Sequence, residues 1–354
     1  MGKVVKKNKA VFSMTENQIK RLIEPDDDAA NLISAFMVLA CHTDKTGVYS
    51  TAGAKAVRIA LHFGKEKADS LLERLSELKS IRGANKLSAG KLKENMPQRE
   101  GRAAVRWVLL PDKSRRVWIS SAIVRGFGSW KSPLLALRQC GANAARILLA
   151  LYLYEDGVAW GGVNPRGAIY KSYDTNLLKH IYDGVHLFRC SSECLFAWHA
   201  FHGPNLLRFK KDENDEISSF WIALEKLQRR GFIYECLTIF SGSEVNDDMC
   251  LLYPLHTFNK HGHAPKGEES LSGKMNHVAE ACGLSQTDKN GRFYGSFAFI
   301  SDSEDVQAVG VFRLRFRNTS SAFEESLRGW QGIQDVKKQW GKDADYQIDR
   351  LKSK

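Results

Sequence analysis

The stretches "LERLSELKSI", Leu72 to Ile81, and "LEKLQRRGFI", Leu224 to Ile233, share one pattern: Leu-Glu-base-Leu, a polar run, then Ile. Leucines three apart lie on one face of a helix. The polar run ends that helix, and the Ile opens the next element. One helix ending used twice in a chain of 354 residues predicts two related units.

Upstream of the first copy, "PDDDAANLISAFMVLAC" starts with Pro25 and three aspartates, one of which can cap the helix N–H groups. Ala29, Leu32, Ile33, Phe36, Met37 and Ala40 then follow helical spacing. "HTDKTGVYS" breaks that helix, and Val48 and Tyr49 suit a short strand. Ser50 or Thr51 is placed to cap a second helix, "AGAKAVRIAL", and Gly64 is expected to supply a positive φ in the turn after it. The third helix, "KEKADSLLERLSELKS", has Ala68, Leu71, Leu72, Leu75 and Leu78 as its apolar stripe. Lys65, Lys67, Ser70 and Arg74 lie off that stripe. Between Ile81 and the strand "AVRWVLL", Arg82, Lys86, Lys91, Lys93, Arg99, Arg102 and Arg106 outnumber Glu94 and Glu100.

Residues 26–110 therefore resemble a winged helix-turn-helix domain, with the basic segment as its wing. The resemblance implies that Lys65, Lys67, Ser70 and Arg74 face the DNA major groove. It assigns phosphate or minor-groove contacts to Lys86, Lys91, Lys93, Arg99 and Arg102.

The second copy repeats the order. Ala145 to Tyr154 is a strongly apolar helix, "EDGVAW" echoes "TDKTGVYS", and "FWIALEKLQRRGFIYE" carries Phe220, Trp221, Leu224 and Leu227 on one face. "GFIYECLTIF" and "MCLLYPL" read as a strand pair. An insertion precedes the third helix, and the turn holds Glu244, Asp247 and Asp248 without a base, a poor match to phosphate. The first unit is thus expected to bind DNA and the second to contact protein, self or partner. The whole is α+β: a basic arm at 1–25, a winged helix at 26–110 and a connector at 111–142. A second winged-helix-like unit with its insertion takes 143–260, and 261–354 hold a β-hairpin, a helix and a polar tail.

Cys190, Cys194, His199 and His202 are metal-capable types, with His180 and His186 upstream. On one helix Cys190 and Cys194 share a face that His199 does not, and Leu195, Phe196, Trp198 and Phe201 favour packing. No metal or cofactor is expected. In "AVGVFRLRFRN", strand alternation puts Arg313, Arg315 and Arg317 on one face. With Phe293 and Tyr294 nearby, that face suits single-stranded nucleic acid, or is simply solvated.

The net charge of +12 favours a polyanionic partner. Lys3, Lys6, Lys7 and Lys9 make the N-terminal arm a phosphate contact or a solubilising tail. No apolar run of about eighteen residues predicts a membrane span. Seven scattered cysteines read as reduced thiols, hence a cytoplasmic setting. No phosphate-binding glycine loop, HExxH, nucleophile elbow or dinucleotide fingerprint occurs, so no enzyme is expected. Tandem winged helices resemble plasmid replication initiators and regulators of mobile elements, and transcription control or a DNA-tethered role in a mobile-element or antiviral defence system fits as well. A protein-interaction scaffold is the alternative.

Overall fold

The computed structural model describes residues 11–83, 106–110, 112–126, 132–156, 160, 162–165, 169–182, 185–191, 198–200, 216–242, 250–258, 297–301 and 304–317. The fold is α+β. It divides into two units, one of Met1–Leu153, Pro204–Phe232 and Phe316–Ser320, the other of Tyr154–Gly203, Ile233–Arg315 and Ser321–Lys354.

The described part of the first unit begins with strand β1 (Val11–Thr15) and helix α1 (Glu16–Leu22), within the stretch 1–25 expected to be a basic arm. Thr15 and Gln18 form a reciprocal capping box that starts α1. Phe12, Met14, Ile19, Leu22 and Ile23 are buried. Helix α2 (Ala29–Cys41) has every residue but Asn31 buried, so it lies inside the unit rather than on its edge. Next come β2 (Tyr49–Ser50), α3 (Ala54–Leu61), α4 (Lys65–Glu77), β3 (Ile81–Gly83) and β4 (Trp107–Leu109). The three strands form one antiparallel sheet in the order β2-β4-β3.

Two turn assignments change. The left-handed residue between α3 and α4 is His62, at φ 55°, while Gly64 takes φ −67° and caps α4 in extended conformation. Ser50 does not cap α3. Its hydroxyl donates to the Leu39 carbonyl at 2.7 Å, and Gly53 is the N-cap.

Strand β5 (Arg116–Ser120) pairs with β1, and α5 (Ala122–Arg125), α6 (Pro133–Cys140), α7 (Ala142–Leu151) and α8 (Glu216–Arg229) complete the unit. Helices α6 and α7 meet at a 118° bend, where Gly141 has φ 95°. Arg146 of α7 is buried and donates to the Ile23 carbonyl at 2.6 Å. No helix among the described residues is long and apolar enough to cross a membrane.

The two related stretches end their helices in one way. After α4, Ser80 N–H donates to Leu75 O at 3.1 Å and Lys79 N–H to Ser76 O at 3.0 Å. After α8, Phe232 N–H donates to Leu227 O at 2.9 Å and Gly231 N–H to Gln228 O at 3.0 Å. Both are Schellman endings with a left-handed residue, Lys79 at φ 52° and Gly231 at φ 70°. The repeat in the sequence is a repeated helix stop. Helices α7 and α8 belong to the first unit and the strands after α8 to the second.

The second unit contains the pair β6 (Glu155–Asp156) and β7 (Gly162–Val163), and a sheet built from β8 (Ile169–Tyr182), β9 (Val185–Ser191), β10 (Trp198–Ala200), β11 (Ile233–Ser241), β12 (Cys250–Phe258), β13 (Phe297–Ser301) and β14 (Val306–Leu314). The sheet order is β12-β11-β14-β8-β9-β13, with β10 also on β8. The hairpin β11–β12 forms as expected. The two C-terminal strands form but do not pair with each other. β13 pairs with β9, and β14 runs between β11 and β8. A strand as apolar as β14 needs both faces covered and both edges paired, which a terminal hairpin does not provide. One face of this sheet carries a cluster of Trp160, Tyr170, Cys236, Phe240, Val309 and Val311.

Lys79→Gly is expected to raise the unfolding temperature, since a non-glycine residue held left-handed costs about 1–2 kcal/mol. Gly231→Ala is expected to lower stability by about 1 kcal/mol for the same reason. Thermal unfolding of both variants by circular dichroism checks the pair.

Candidate nucleic-acid interface

Helix α4 packs Ala68, Leu71, Leu72 and Leu75 inward, as its spacing predicts, while Leu78 lies at the helix end, 36% exposed. Lys65, Lys67 and Ser70 are exposed and Arg74 is half-buried. The opposite, outermost face is Glu66, Ser70, Glu73 and Glu77, spaced by helical turns and all exposed. The front of the expected recognition helix is therefore acidic along its length.

Two of its cations are held elsewhere. Arg74 reaches Asp26 at 2.5 Å and Asp28 at 2.9 Å, and Lys67 reaches Asp28 at 2.7 Å. Asp28 stands at the N-cap of α2 but makes no capping bond. Its carboxylate accepts from Asn31, Lys67 and Arg74 instead. Burial works to raise the Asp28 carboxyl, but the Lys67 and Asn31 hydrogen bonds and the Lys67 and Arg74 charges outweigh it and hold it below its ordinary value. On the far side of Asn31, Arg138 of α6 donates to its Oδ1 at 2.6 Å and lies over the Phe63 ring at 3.9 Å. The network pins α4 and the α3–α4 turn to the start of α2.

The strands flanking the expected wing carry exposed cations at both stems. Arg82 is exposed on β3, and Arg106 is exposed just before β4. Arg106 N–H donates to Ser50 O at 2.9 Å, extending the sheet. Its side chain crosses Gly53, where a Cβ would come within 2.7 Å of Arg106 Cδ. Glycine at the N-cap of α3 leaves that space open to the arginine side chain. Lys86, Lys91, Lys93, Arg99 and Arg102 lie outside the described residues, as do Lys3, Lys6, Lys7, Lys9, Glu244, Asp247 and Asp248.

The arginine row at the end of β14 does not form. The strand stops at Leu314, Arg313 is buried and Arg315 is exposed. Strand alternation does not continue through Arg317, so the three do not make one exposed basic face. Phe293 and Tyr294 lie outside the described residues.

The Cys/His segment is also not one helix. Cys190 ends up in β9 and His199 in β10, and Cys194 and His202 lie outside the described residues. Cys190 is buried, and burial pushes its thiol well above the ordinary range, away from the thiolate that binds metal. Cys41, Cys140 and Cys236 are buried thiols too.

One polar group was not foreseen. Lys171 and Tyr173 of β8 and Glu235 of β11 are all buried, on either side of β14. Tyr173 donates to Glu235, and Lys171 Nζ is 3.8 Å from the same carboxylate oxygen. They meet across β14 because the residue between them is Gly310. A Cβ there would lie 2.8 Å from Glu235 Oε1, 3.1 Å from Lys171 Cβ and 3.2 Å from the Tyr173 ring. Burial raises the Glu235 carboxyl against the pull of Lys171 and Tyr173. It also raises the Tyr173 hydroxyl, helped by the Glu235 charge. With all three side chains nearly closed to water, the arrangement acts as a clamp across three strands.

No protein-family model, curated protein or solved structure matches this chain.

Asp28→Asn is expected to lower stability by about 1 kcal/mol at neutral pH, the upper range for partly exposed pairs. The contribution of a lowered carboxyl is present above its ordinary value, about 3.9, and is lost as pH falls through the folded value. The gap between variant and wild type should close in acid, as urea unfolding at several pH values will show. Gly310→Ala is expected to cost about 1–3 kcal/mol through overpacking, measured in the same way.

Proposed function

We propose that residues 29–109 are a winged helix-turn-helix unit that binds double-stranded DNA chiefly through its wing. The observation that carries this reading is the element order α2–β2–α3–α4–β3–β4 with the antiparallel sheet β2-β4-β3. In that order the chain between β3 and β4 is the wing. Its bases Lys86, Lys91, Lys93, Arg99 and Arg102, with Arg82 and Arg106 at its stems, are the phosphate contacts. Lys65, at the start of α4, is the one cation of that helix outside the Asp26–Asp28 network that would join them. The acidic outer face of α4 argues against that helix lying along the major groove as a whole.

The protein on this reading is a non-enzymatic DNA-binding protein. Its resemblance is to plasmid replication initiators and to regulators of mobile elements, and a role in a defence system fits as well. Protein binding by the same unit is the second reading. It is favoured by Glu66, Glu73 and Glu77 on α4 and by Ile59 of α3, which is 66% exposed.

Fluorescence anisotropy with random duplex DNA at low and physiological salt separates the two. DNA binding through the wing predicts affinity that falls steeply with salt, by counterion release. Replacing Lys86, Lys91 and Lys93 with Ala should flatten the log–log salt slope by about 2–3. Lys67→Ala with Arg74→Ala should change the slope by less than about 1. Absence of binding at low salt would remove the DNA reading and leave the protein one.

A further inference from the structure

We infer that His180, His186 and Glu304 form a binding site for a divalent first-row transition metal ion on the second unit. His180 of β8 and His186 of β9 are directly opposed cross-strand partners, six residues apart across the hairpin. Their Nδ1 atoms are 2.8 Å apart and the rings meet edge to face with centroids 4.8 Å apart. Glu304, just before β14, brings Oε1 to 3.9 Å from His180 Nδ1 and 3.9 Å from His186 Nε2. One ligand atom from each of the three lies within 4.8 Å of the others.

The strand geometry aims these side chains. The β8–β9 ladder slips between Leu177 and Lys179 and again between His180 and Tyr182, so irregularities bracket His180 on both sides. Such bulges rotate side chains out of simple alternation and recur beside functional groups. Consecutive Leu177 and Leu178 are each 41% exposed, as expected where alternation is broken. The His186 side chain is only 10% exposed and its ring packs edge-on to Phe188, at 6.4 Å between centroids, which fixes its direction. His180 and Glu304 are more than half exposed, so an ion can enter from solvent and keep water in its remaining positions.

The distances suit a small ion. Metal–nitrogen bonds of about 2.05 Å at angles of about 90–110° place two ligand nitrogens about 2.9–3.4 Å apart. The two Nδ1 atoms need to widen by only a few tenths of an ångström. The rings must also turn so that both lone pairs converge, and Glu304, which lies on the Nε2 side of His186, must swing its exposed side chain to join them. Without metal, one Nδ1 must carry the proton that the other accepts. On binding, that proton moves to the Nε2 of its own ring, leaving two neutral imidazoles with their Nδ1 lone pairs toward the ion. Two imidazoles and one carboxylate select zinc-like first-row ions over magnesium or calcium, which prefer all-oxygen sites.

The test uses the full chain, stripped of metal by a chelator. Zn²⁺ is titrated by calorimetry, and Co²⁺ is added separately to read the visible absorption of bound cobalt. The expected result is one high-affinity equivalent that His180→Ala and Glu304→Gln each weaken by more than about tenfold. His180 and Glu304 are exposed, so these variants are expected to fold, which circular dichroism verifies. No stoichiometric binding would overturn the proposal. So would binding that is unchanged in His180→Ala, since the ion would then sit elsewhere in the chain.

Discussion

Helix α2 has no face to offer water, and the first unit is arranged to enclose it. Twelve of its thirteen residues are buried, and β1, α1, α3, α4, α5, α6 and α7 all pack against it. A helix so apolar is stable only when surrounded. Its charged neighbours gather at the N-terminus, where the helix dipole favours anions and where Asp26 and Asp28 stand. Burial of Ala68, Leu71, Leu72 and Leu75 sets the roll of α4, and the two carboxylates take up Lys67 and Arg74 on its flank. Once the basic flank of α4 is turned toward α2, Glu66, Glu73 and Glu77 face outward. The core of the unit and the charge of its surface are thus linked through a few ion pairs.

The same linkage turns the proposed contact with DNA away from α4 and toward the basic segment between β3 and β4. Exposed cations on the described part of the unit include Arg82 and Arg106 at the stems of the segment between β3 and β4. Arg106 is held there by its backbone bond to Ser50, and its side chain runs over Gly53. In the second unit the organising contact is the buried clamp of Tyr173, Lys171 and Glu235. It depends on the missing side chain of Gly310 in the strand between them.

Local order was legible in the sequence, and long-range pairing was not. Leucine spacing located α4 and α8, and the shared Leu-Glu-base-Leu pattern marked two helix stops that proved identical in hydrogen bonding. Periodicity also says which residues of a strand share a face, but it does not name the neighbouring strand. That is why β13 and β14 were expected to pair with each other, and why Arg313 was expected in the open. Lys67 and Arg74 lay off the apolar stripe, but their partners are 39 to 48 residues away, beyond any local pattern. His180 and His186 carried a readable signal, six residues apart around Asp183-Gly184, a dipeptide that favours tight hairpins. The sequence between β3 and β4 carries its charge openly, which is why the proposed DNA contact is placed there.

Site-specific photocrosslinking tests that reading most directly. A photoreactive residue is placed at Lys91, between the stems, or at Glu73, on the outer face of α4, and each variant is irradiated with duplex DNA. The wing account predicts covalent DNA adducts from position 91 and few from position 73. Adducts chiefly from position 73, or from neither, would contradict it.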